Sequence, residues 1–377
     1  MTMYVTLGEN AAADGCFPHI TEDYIVLKSL AEEYHLAMAY YYLGCLLYDR
    51  RVYDESIEDY EESILRSPDF PTVHRNLALA YYNVKKLPQR AYEEMEKAFA
   101  LDETDARVYL ELDQLKKRLN VAVKERWSDM EKHFDLVESR DDLYLEYVTL
   151  LNTLGEPEKA LGLIKARKFH QWEGGEGKVA AQYLTALYQL AKAAVEKEDY
   201  AEAKELLLRA VGEYPHNLGE GKLESGQENN LYYLLGLVQE KLGEAKDAFE
   251  SLTRACCGES EPVGMMYYND QPPEMIYYQG LAYRMLGEEE QAVSRFQKLV
   301  DYGREHIRDD VKIDYFAVSL PDLLIFEENL NERNRKHCLF MMSLGLKGLG
   351  RIDEAEKCAE ELLAVDNAHQ EIRVHDL

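Results

Sequence analysis

The chain has 377 residues, and its 71 acidic against 43 basic side chains give a formal net charge of -28 at pH 7. The acidity is spread over both halves of the chain, which argues against nucleic acid and anionic membrane surfaces as partners, because both attract basic patches. Hydrophobic residues make up 46% of the chain, enough for a sizeable core. Tyrosine is unusually frequent, with 28 residues against 10 phenylalanines and 2 tryptophans.

Two further features of the sequence bear on location and redox state. No apolar run is long enough to span a membrane, and residues 1–10 lack the basic and apolar regions of a signal peptide. The six cysteines show neither the spacing of a zinc site nor a disulfide framework. We therefore expect a cytoplasmic protein with reduced thiols, no metal, no cofactor and no membrane partner.

The predicted elements begin with a segment of low periodicity, residues 1–20, which we expect to be flexible. Residues 21–36 predict a single capping helix. The segment that follows, Ala37–Pro68, predicts a helix pair. Large residues such as Leu43 form an apolar stripe on its first helix. The small residues Gly44 and Ser56 would let the two helices cross closely, and Pro68 ends the second helix.

The same frame recurs along the chain, and one position of each first helix marks the copies. These markers are Gly44, Ala78, Asp113, Val148, Ala191, Gly236, Gly280 and Ser343. The third copy, at Asp113, is degenerate. The pattern resembles the tetratricopeptide (TPR) repeat family over residues 37–367. The resemblance implies an all-α fold, an α-solenoid in which eight helix pairs form one continuous right-handed superhelix. Residues 368–377 would form a C-terminal tail.

Four long insertions interrupt the repeat, near residues 168–178, 212–226, 257–273 and 301–332. Each follows the second helix of a pair, so all four would lie on one edge of the solenoid, where binding faces are often found. The last contains the phrase VKIDYFAVSLPDLLIF, which is too apolar for a solvated loop. We expect this insertion to fold back onto the superhelix.

Several phrases resemble a narrower group than TPR proteins in general. WEGGEGK, YYNDQPPEMIYYQG and KIDYFAVSLPDLLIF are similar to the C-terminal TPR region of large uncharacterised bacterial proteins with an N-terminal β-sandwich domain of unknown function. The match covers nearly the whole chain. The β-sandwich is missing here, so the chain would be a truncated relative or a free-standing version. The resemblance implies an architecture and no known activity.

The first two insertions each end in Gly-Glu-Gly-Lys. A phosphate-binding P-loop is not indicated, because Trp172 stands where its first glycine belongs and Val179 and Leu223 replace its Ser or Thr. Such turns either present backbone N–H groups to an anion or simply begin a helix. We expect the loops to approach one another and to bind a ligand through Trp172, Glu173, Glu176, Lys178, Glu220, Lys222, Asn269 and Asp270.

Aromatic residues recur one place after the start of the apolar stripe, at a position that faces the concave groove in TPR proteins. Such rings suit peptide or sugar recognition, although they could equally fill the inner wall of a tight superhelix. The predicted groove residues are Tyr41, Arg75, Asn83, Tyr188, Tyr233, Tyr277 and Phe340.

These features favour a non-enzymatic TPR scaffold that binds a protein or peptide of unknown identity through the groove and the edge loops. The alternative is a carbohydrate-binding or accessory module of a bacterial sugar-processing system, since the β-sandwich of the relatives resembles sugar-processing domains. A hydrolase built on Glu173, Glu176 and Glu220 with His170 and His216 is disfavoured, because so acidic a chain places carboxylates together by chance.

Overall fold

The computed structural model describes residues 18, 20–172, 174–222, 228–262, 271–312 and 325–375. These residues form nineteen α-helices and a short 3-10 helix, and they contain no strand. The expected all-α fold of solenoid type is confirmed. The segment predicted to be flexible, residues 1–20, lies outside the described residues except for positions 18 and 20.

The chain divides into two compact units, the first of which (unit 1) lies within Met1–Leu119 and includes Ile325–Glu327. Each helix of unit 1 packs on the next along the chain. Its helices are α1 (Thr21–Tyr34), α2 (Ala37–Asp49), α3 (Tyr53–Arg66), α4 (Pro71–Asn83), α5 (Pro88–Leu101) and α6 (Ala106–Arg118). The predicted capping helix is therefore present as α1, which buries Leu27, Leu30 and Ala31.

The second unit (unit 2) lies within Asn120–Leu324 and Glu328–Leu377. Its helices are α7 (Val123–Lys132), α8 (Phe134–Ser139), α9 (Asp141–Thr153), α10 (Pro157–Ala166), α11 (Lys178–Glu196), α12 (Tyr200–Val211), α13 (Asn229–Lys241), α14 (Ala245–Ala255), α15 (Met275–Met285), α16 (Glu289–His306), α17 (Leu330–Gly348), α18 (Ile352–Val365) and α19 (Gln370–Val374). The predicted tail thus includes a helix, α19.

The first helix of each pair is called the A helix and the second the B helix. The A helices are α2, α4, α6, α9, α11, α13, α15 and α17. All of them except α6 form a pair with the next helix along the chain, and these B helices are α3, α5, α10, α12, α14, α16 and α18. Within unit 2, α9 packs on α11, and α15 packs on α13 and on α17. The single superhelix over residues 37–367 stays a prediction, whereas seven of the helix pairs that compose it are present.

Local chemistry fixes where many of these helices begin. Pro71, Pro88 and Pro157 each occupy the first turn of a helix, where no intrahelical N–H bond is lost and the fixed φ suits the helix. The carboxylate of Asp199 caps α12 by accepting from the backbone N–H of Glu202. The starts of these four helices therefore have a direct physical cause.

Close A-to-B crossings depend on the small residues that mark the repeat. A Cβ atom added to Gly44 would lie 2.6 Å from the ring of Tyr60, and one added to Gly236 would lie 2.6 Å from Leu252. The hydroxyl of Ser56 donates to the carbonyl oxygen of Gly44 at 2.7 Å. Because Gly44 and Gly236 each face a large side chain of the paired B helix, a small residue is required at these two crossings.

The clearest crossing surrounds Phe296 on α16, whose side chain is fully buried. A Cβ atom at Gly280 on α15 would lie 2.5 Å from its ring, and one at Gly348 on α17 would lie 2.2 Å from it. The ring is therefore held between two glycines from two A helices. Any larger residue at either position would have to displace it.

We expect Gly280→Ala to lower the free energy of unfolding by about 1–3 kcal/mol, because overpacking a filled core forces the ring of Phe296 aside. Urea unfolding followed by circular dichroism measures the change. The matched control is Gly162→Ala in α10, where an added Cβ meets no atom within 4 Å. The control should be neutral or stabilising by about 1 kcal/mol, since alanine is the better helix former. Equal losses in both variants would contradict the steric explanation.

Candidate functional site

The first candidate site lies on unit 1, where the end of α4 holds the tripeptide Ile325–Glu327. The Nδ2 of Asn83 donates to the carbonyl oxygen of Ile325 at 2.8 Å, and its Oδ1 accepts from the backbone N–H of Glu327 at 2.9 Å. The side-chain amide of Asn83 therefore forms with the tripeptide the two main-chain hydrogen bonds that a neighbouring β-strand would form. Asn83, a predicted groove residue, thus reads the backbone of an internal segment.

The tripeptide places the ring of Phe326 in a closed environment. The ring is fully buried and meets Tyr82 edge-on, with centroids 5.0 Å apart. The guanidinium of Arg118 lies 6.0 Å from the centroid of Phe326, and its Nη2 donates to the Phe326 carbonyl at 2.9 Å. The buried Nε of Arg118 has no hydrogen-bond partner among the described residues. The site combines an aromatic wall, a cation and a side-chain amide that bonds to the main chain on either side of one phenyl group.

Charge at the rim of this site is supplied by Lys86, which follows α4. Its Nζ lies 2.6 Å from Oε2 of Glu327, and each side chain is 65% exposed. An ion pair so exposed contributes little to stability, but it favours an acidic residue after the phenylalanine. Beside Asn83, burial raises the pKa of Tyr48, against a smaller lowering by the hydrogen bond with that amide, so the phenol stays protonated at neutral pH.

Two other groove residues predicted on unit 1 have structural partners instead. Arg75 forms a two-pronged ion pair with Glu111, at 2.6 Å from each nitrogen, and Glu111 is fully buried. Removing either partner would leave a buried charge, so Arg75 ties α4 to α6. Tyr41 is 5% exposed and meets Phe70 edge-on. Contrary to the prediction, neither residue presents a surface to a ligand.

The predicted aromatic ladder of unit 2 is also covered. Tyr188, Tyr277 and Phe340 are each no more than 3% exposed, and Tyr233 is half-buried against Tyr278. The prediction that these rings line an open groove is wrong, because other parts of unit 2 pack over them. Tyr277 lies against Phe296, at 5.7 Å between centroids, and so belongs to the core.

The short helix α19 is what covers much of this face. Its first residue, Gln370, exchanges hydrogen bonds with Gln182, and Lys192 donates to the carbonyl of Val374 at 3.0 Å. The residue that follows α19, His375, lies 2.7 Å from the hydroxyl of Tyr278. These contacts make the A helices of unit 2 the second candidate site, occupied by a segment of the chain.

The first two edge loops dock on one another, as predicted. The backbone N–H of Phe169 donates to the carbonyl of Asn217 at 2.8 Å. Glu220 of the second loop accepts from the N–H groups of Gly177 and Ala180, at 2.8 and 2.9 Å. The carboxylate thereby caps the start of α11 with favourable charge at the helix N-terminus. Glu220 is a capping residue rather than a free ligand group.

Lys222, predicted to bind an anion, is also engaged within its own loop. Its Nζ donates to the carbonyl of Val211 at 2.6 Å and to Glu228 at 2.7 Å. Burial raises the pKa of Glu228, and the nearby Lys222 partly offsets that rise. Because its bonds go to the end of α12 and to one carboxylate, Lys222 joins two elements and is not free to bind a ligand, contrary to the prediction.

The remaining edge-loop residues are less constrained. Trp172 folds over Gly175, where an added Cβ would lie 2.2 Å from the indole, and Glu176 and Lys178 are exposed. The other predicted ligands, Glu173, Asn269 and Asp270, lie outside the described residues. His170 is bonded to Asp141 at 3.1 Å, which does not place it among the loop glutamates. The loops therefore act first as a structural joint between consecutive pairs.

Two kinds of feature are absent from the described part of the chain. No group of three or more His, Cys, Asp or Glu side chains there is arranged to hold a metal ion. No helix there is both long and apolar enough to cross a membrane.

Sequence analysis missed most of the residues that make the two sites. Tyr82, Lys86 and Arg118 are ordinary helix or turn residues by pattern, and Phe326 belongs to an apolar insertion whose target the sequence does not name. The apolarity of that insertion was the one available signal, and its described residues Ile325–Glu327 do pack on unit 1. Nothing in the sequence of 370–375 marks it as an inner-face segment.

Family models for the tetratricopeptide repeat match residues 41–106, 188–262 and 274–302. The chain carries TPR-like helical repeats. Similar solved structures include Naa15/Naa10 bound to HypK-THB, at 10% identity and TM-score 0.42, covering 92% of this chain and 61% of that one. A tetratricopeptide repeat protein from Parabacteroides merdae matches at 11% identity and TM-score 0.38, covering 84% and 99%. PilF from Pseudomonas aeruginosa matches at 15% identity and TM-score 0.23, covering 71% of this chain and 91% of that one. Similarity at this level has no bearing on function.

The capping role of Glu220 predicts a stability change. Glu220→Gln removes the charge and one of two acceptor oxygens, so the free energy of unfolding should fall by about 1–2 kcal/mol. Urea unfolding is the measurement. Glu176→Gln, at the corresponding position of the first loop and exposed, should change the free energy by no more than about 0.5 kcal/mol. If the two variants are equally stable, Glu220 does not anchor α11.

Proposed function

We propose that the chain is a non-enzymatic TPR scaffold that binds an extended segment of a protein partner at the Asn83 site of unit 1. The repeats themselves support a role in protein–protein interaction. The observation that carries the finer proposal is the pair of bonds from Asn83 to the backbone of Ile325 and Glu327. An amide that satisfies both main-chain groups of a segment, whatever its side chains, is a general device for peptide recognition.

The chemistry around Asn83 specifies what such a partner segment contains. Tyr82 and Arg118 enclose a phenyl ring, and Lys86 faces a carboxylate one residue later. We therefore expect an apolar residue, an aromatic residue and an acidic residue in succession. The internal tripeptide Ile325–Glu327 shows this mode of binding in cis, and a partner would use it in trans.

The alternatives from the sequence receive less support. A carbohydrate role needs exposed rings, whereas Tyr188, Tyr277 and Phe340 are buried and Trp172 is folded over Gly175. A hydrolase needs free carboxylates, whereas Glu220 caps a helix. We propose no carbohydrate or catalytic function.

The test is the Phe326→Ala variant, which weakens the internal occupant, titrated with a peptide of residues 323–329, LLIFEEN. Isothermal titration calorimetry should show binding at least about tenfold tighter than to the unchanged protein, in which the tethered tripeptide competes. The same peptide with alanine for phenylalanine should bind at least about tenfold more weakly, as expected when an anchor ring is lost.

Two further variants locate the binding in the Phe326→Ala background. Asn83→Ala should abolish detectable binding, and Lys86→Met should weaken it several-fold. The matched control is Lys85→Met, whose amine pairs with Asp54 instead of Glu327, and it should bind as the Phe326→Ala variant does. A folded Phe326→Ala variant that does not bind the peptide, or that binds it equally with and without Asn83, would refute the proposal.

A further inference from the structure

The A-helix face of unit 2 is unusually polar for a buried surface. Gln370 Nε2 donates to the carbonyl of Thr149 at 3.1 Å and to the hydroxyl of Thr153 at 3.2 Å, and Gln182 Nε2 donates to Gln370 Oε1 at 2.8 Å. Two side chains, those of Thr153 and Gln182, and the carbonyl of Thr149 thus surround a single glutamine. Such a network specifies one side-chain amide by shape and by hydrogen bonding.

The far end of the same segment is recognised by different chemistry. The hydroxyl of Tyr278 bonds to Nδ1 of His375 at 2.7 Å and to the hydroxyl of Tyr188 at 3.1 Å. The ring of Phe340 lies 6.1 Å from that of His375. Burial lowers the pKa of His375 to about 3, with Lys192 and His369 adding to the effect, so the imidazole is neutral. The face therefore reads an uncharged imidazole five residues after the glutamine.

The last turn of α19 is held at its main chain. Lys192 donates to the carbonyl of Val374 at the last turn of α19. A cation at the C-terminal end of a helix satisfies a carbonyl that has no intrahelical partner. This contact requires a helical segment and places no demand on its side chains.

The face also has hydrogen-bonding capacity that α19 leaves unused. Asn152 is 1% exposed and donates its Nδ2 to Gln182, yet its Oδ1 accepts no bond from the described residues. The Oε1 of Gln189, whose Nε2 donates to the carbonyl of Asn152, is likewise buried without a donor. Buried acceptors are nearly always paired, so two unpaired ones on the helices that hold α19, namely α9 and α11, favour a ligand richer in donors than α19.

Asn367, which precedes α19 and is called its root, anchors the segment to the rest of unit 2. Asn367 donates to the carbonyl and side-chain oxygens of Asn120, each at 2.6 Å, and accepts from the N–H of Val123 at 3.2 Å. Beyond this root, α19 has only five residues, too few to form a helix without the face that holds it. The segment after Asn367 could therefore leave the face while the root stays in place.

We propose that this face is a second binding site, separate from the Asn83 site, for a short helix of a partner protein that carries glutamine in its first turn and an imidazole five residues later. The segment Gln370–His375 occupies the site as an internal substitute for that helix. The partner helix makes the same contacts with Gln182, Lys192 and Tyr278 and supplies donors to Asn152 and Gln189. The site works independently of unit 1.

The test uses the full chain with its internal occupant weakened by Gln370→Ala and His375→Ala together. The probe is a fluorescein-labelled peptide of residues 366–375, DNAHQEIRVH, followed by fluorescence anisotropy at pH 7.5. The double variant should bind the peptide at least about tenfold tighter than the unchanged protein, in which the tethered segment competes at high effective concentration. The peptide with alanine at both anchor positions should bind at least about tenfold more weakly.

Position-specific variants in the double-variant background decide whether the peptide uses this face. Lys192→Met should weaken binding at least about tenfold, because it removes the bond to the last turn of the helix. Lys197→Met, an exposed lysine at the end of α11, should leave binding unchanged. Equal effects of the two, or no binding by a double variant that melts cooperatively, would overturn the proposal.

A second measurement covers the case in which the double variant does not fold. The single variant His375→Ala keeps the Gln370 network and should bind the peptide about threefold tighter than the unchanged protein, with the same loss in Lys192→Met. Unchanged binding in that variant would overturn the proposal. Because neither peptide nor variant touches the Asn83 site, binding of LLIFEEN to Phe326→Ala is a separate result, and either proposal can fail alone.

Discussion

The close crossing of A and B helices is the constraint on which the rest of the structure depends. At Gly44, Gly236 and Gly280 the B helix brings a large side chain to within 2.6 Å of where a Cβ atom would stand. This approach fixes the distance between the two helices of a pair. The ring of Phe296, which lies between Gly280 and Gly348, fixes the distance to the next pair as well. Since interiors are close-packed, a methyl group at such a point moves whole helices.

Pairing the helices in this way leaves the A helices of each unit with one further face, and polar groups on that face need partners. Here the chain supplies them. Asn83 and Arg118 bind the backbone of Ile325–Glu327, and Gln182 and Lys192 bind α19. A buried polar group without a partner costs about 1–3 kcal/mol, so an empty face of this composition would be unstable unless water or a ligand filled it. The need to pair these polar groups therefore explains why internal segments of the chain lie on these faces.

The sequence was sufficient to predict the fold because each helix pair is specified locally. The small markers and the apolar stripes act within one repeat, so their pattern predicts α2 to α5 and α9 to α18 without knowledge of distant contacts. It was also sufficient for the docking of the first two loops, since Phe169 and Asn217 belong to consecutive insertions.

The sites could not be predicted in the same way, because their partners are far apart in the chain. Asn83 and Ile325 are separated by 242 residues, and Gln182 and Gln370 by 188. A tyrosine on the inner stripe has the same pattern whether it lines a groove or lies under another segment, as Tyr188 does beneath His375. Likewise, no local rule distinguishes a glutamate that binds a ligand from Glu220, whose partners are N–H groups of another loop.

An internal segment at a proposed binding face also determines which contacts a partner needs in order to displace it. A tethered ligand acts at an effective concentration of about millimolar or more, so a free partner competes only with contacts that the internal segment lacks. At the unit 1 site the unused group is the buried Nε donor of Arg118, whereas on unit 2 the unused groups are the acceptors of Asn152 and Gln189. The first face therefore favours a partner with an additional acceptor and the second a partner with additional donors. Two faces of one repeat chain, built from the same helix pairs, would thus select chemically different partners through the few polar atoms that their internal occupants leave unpaired.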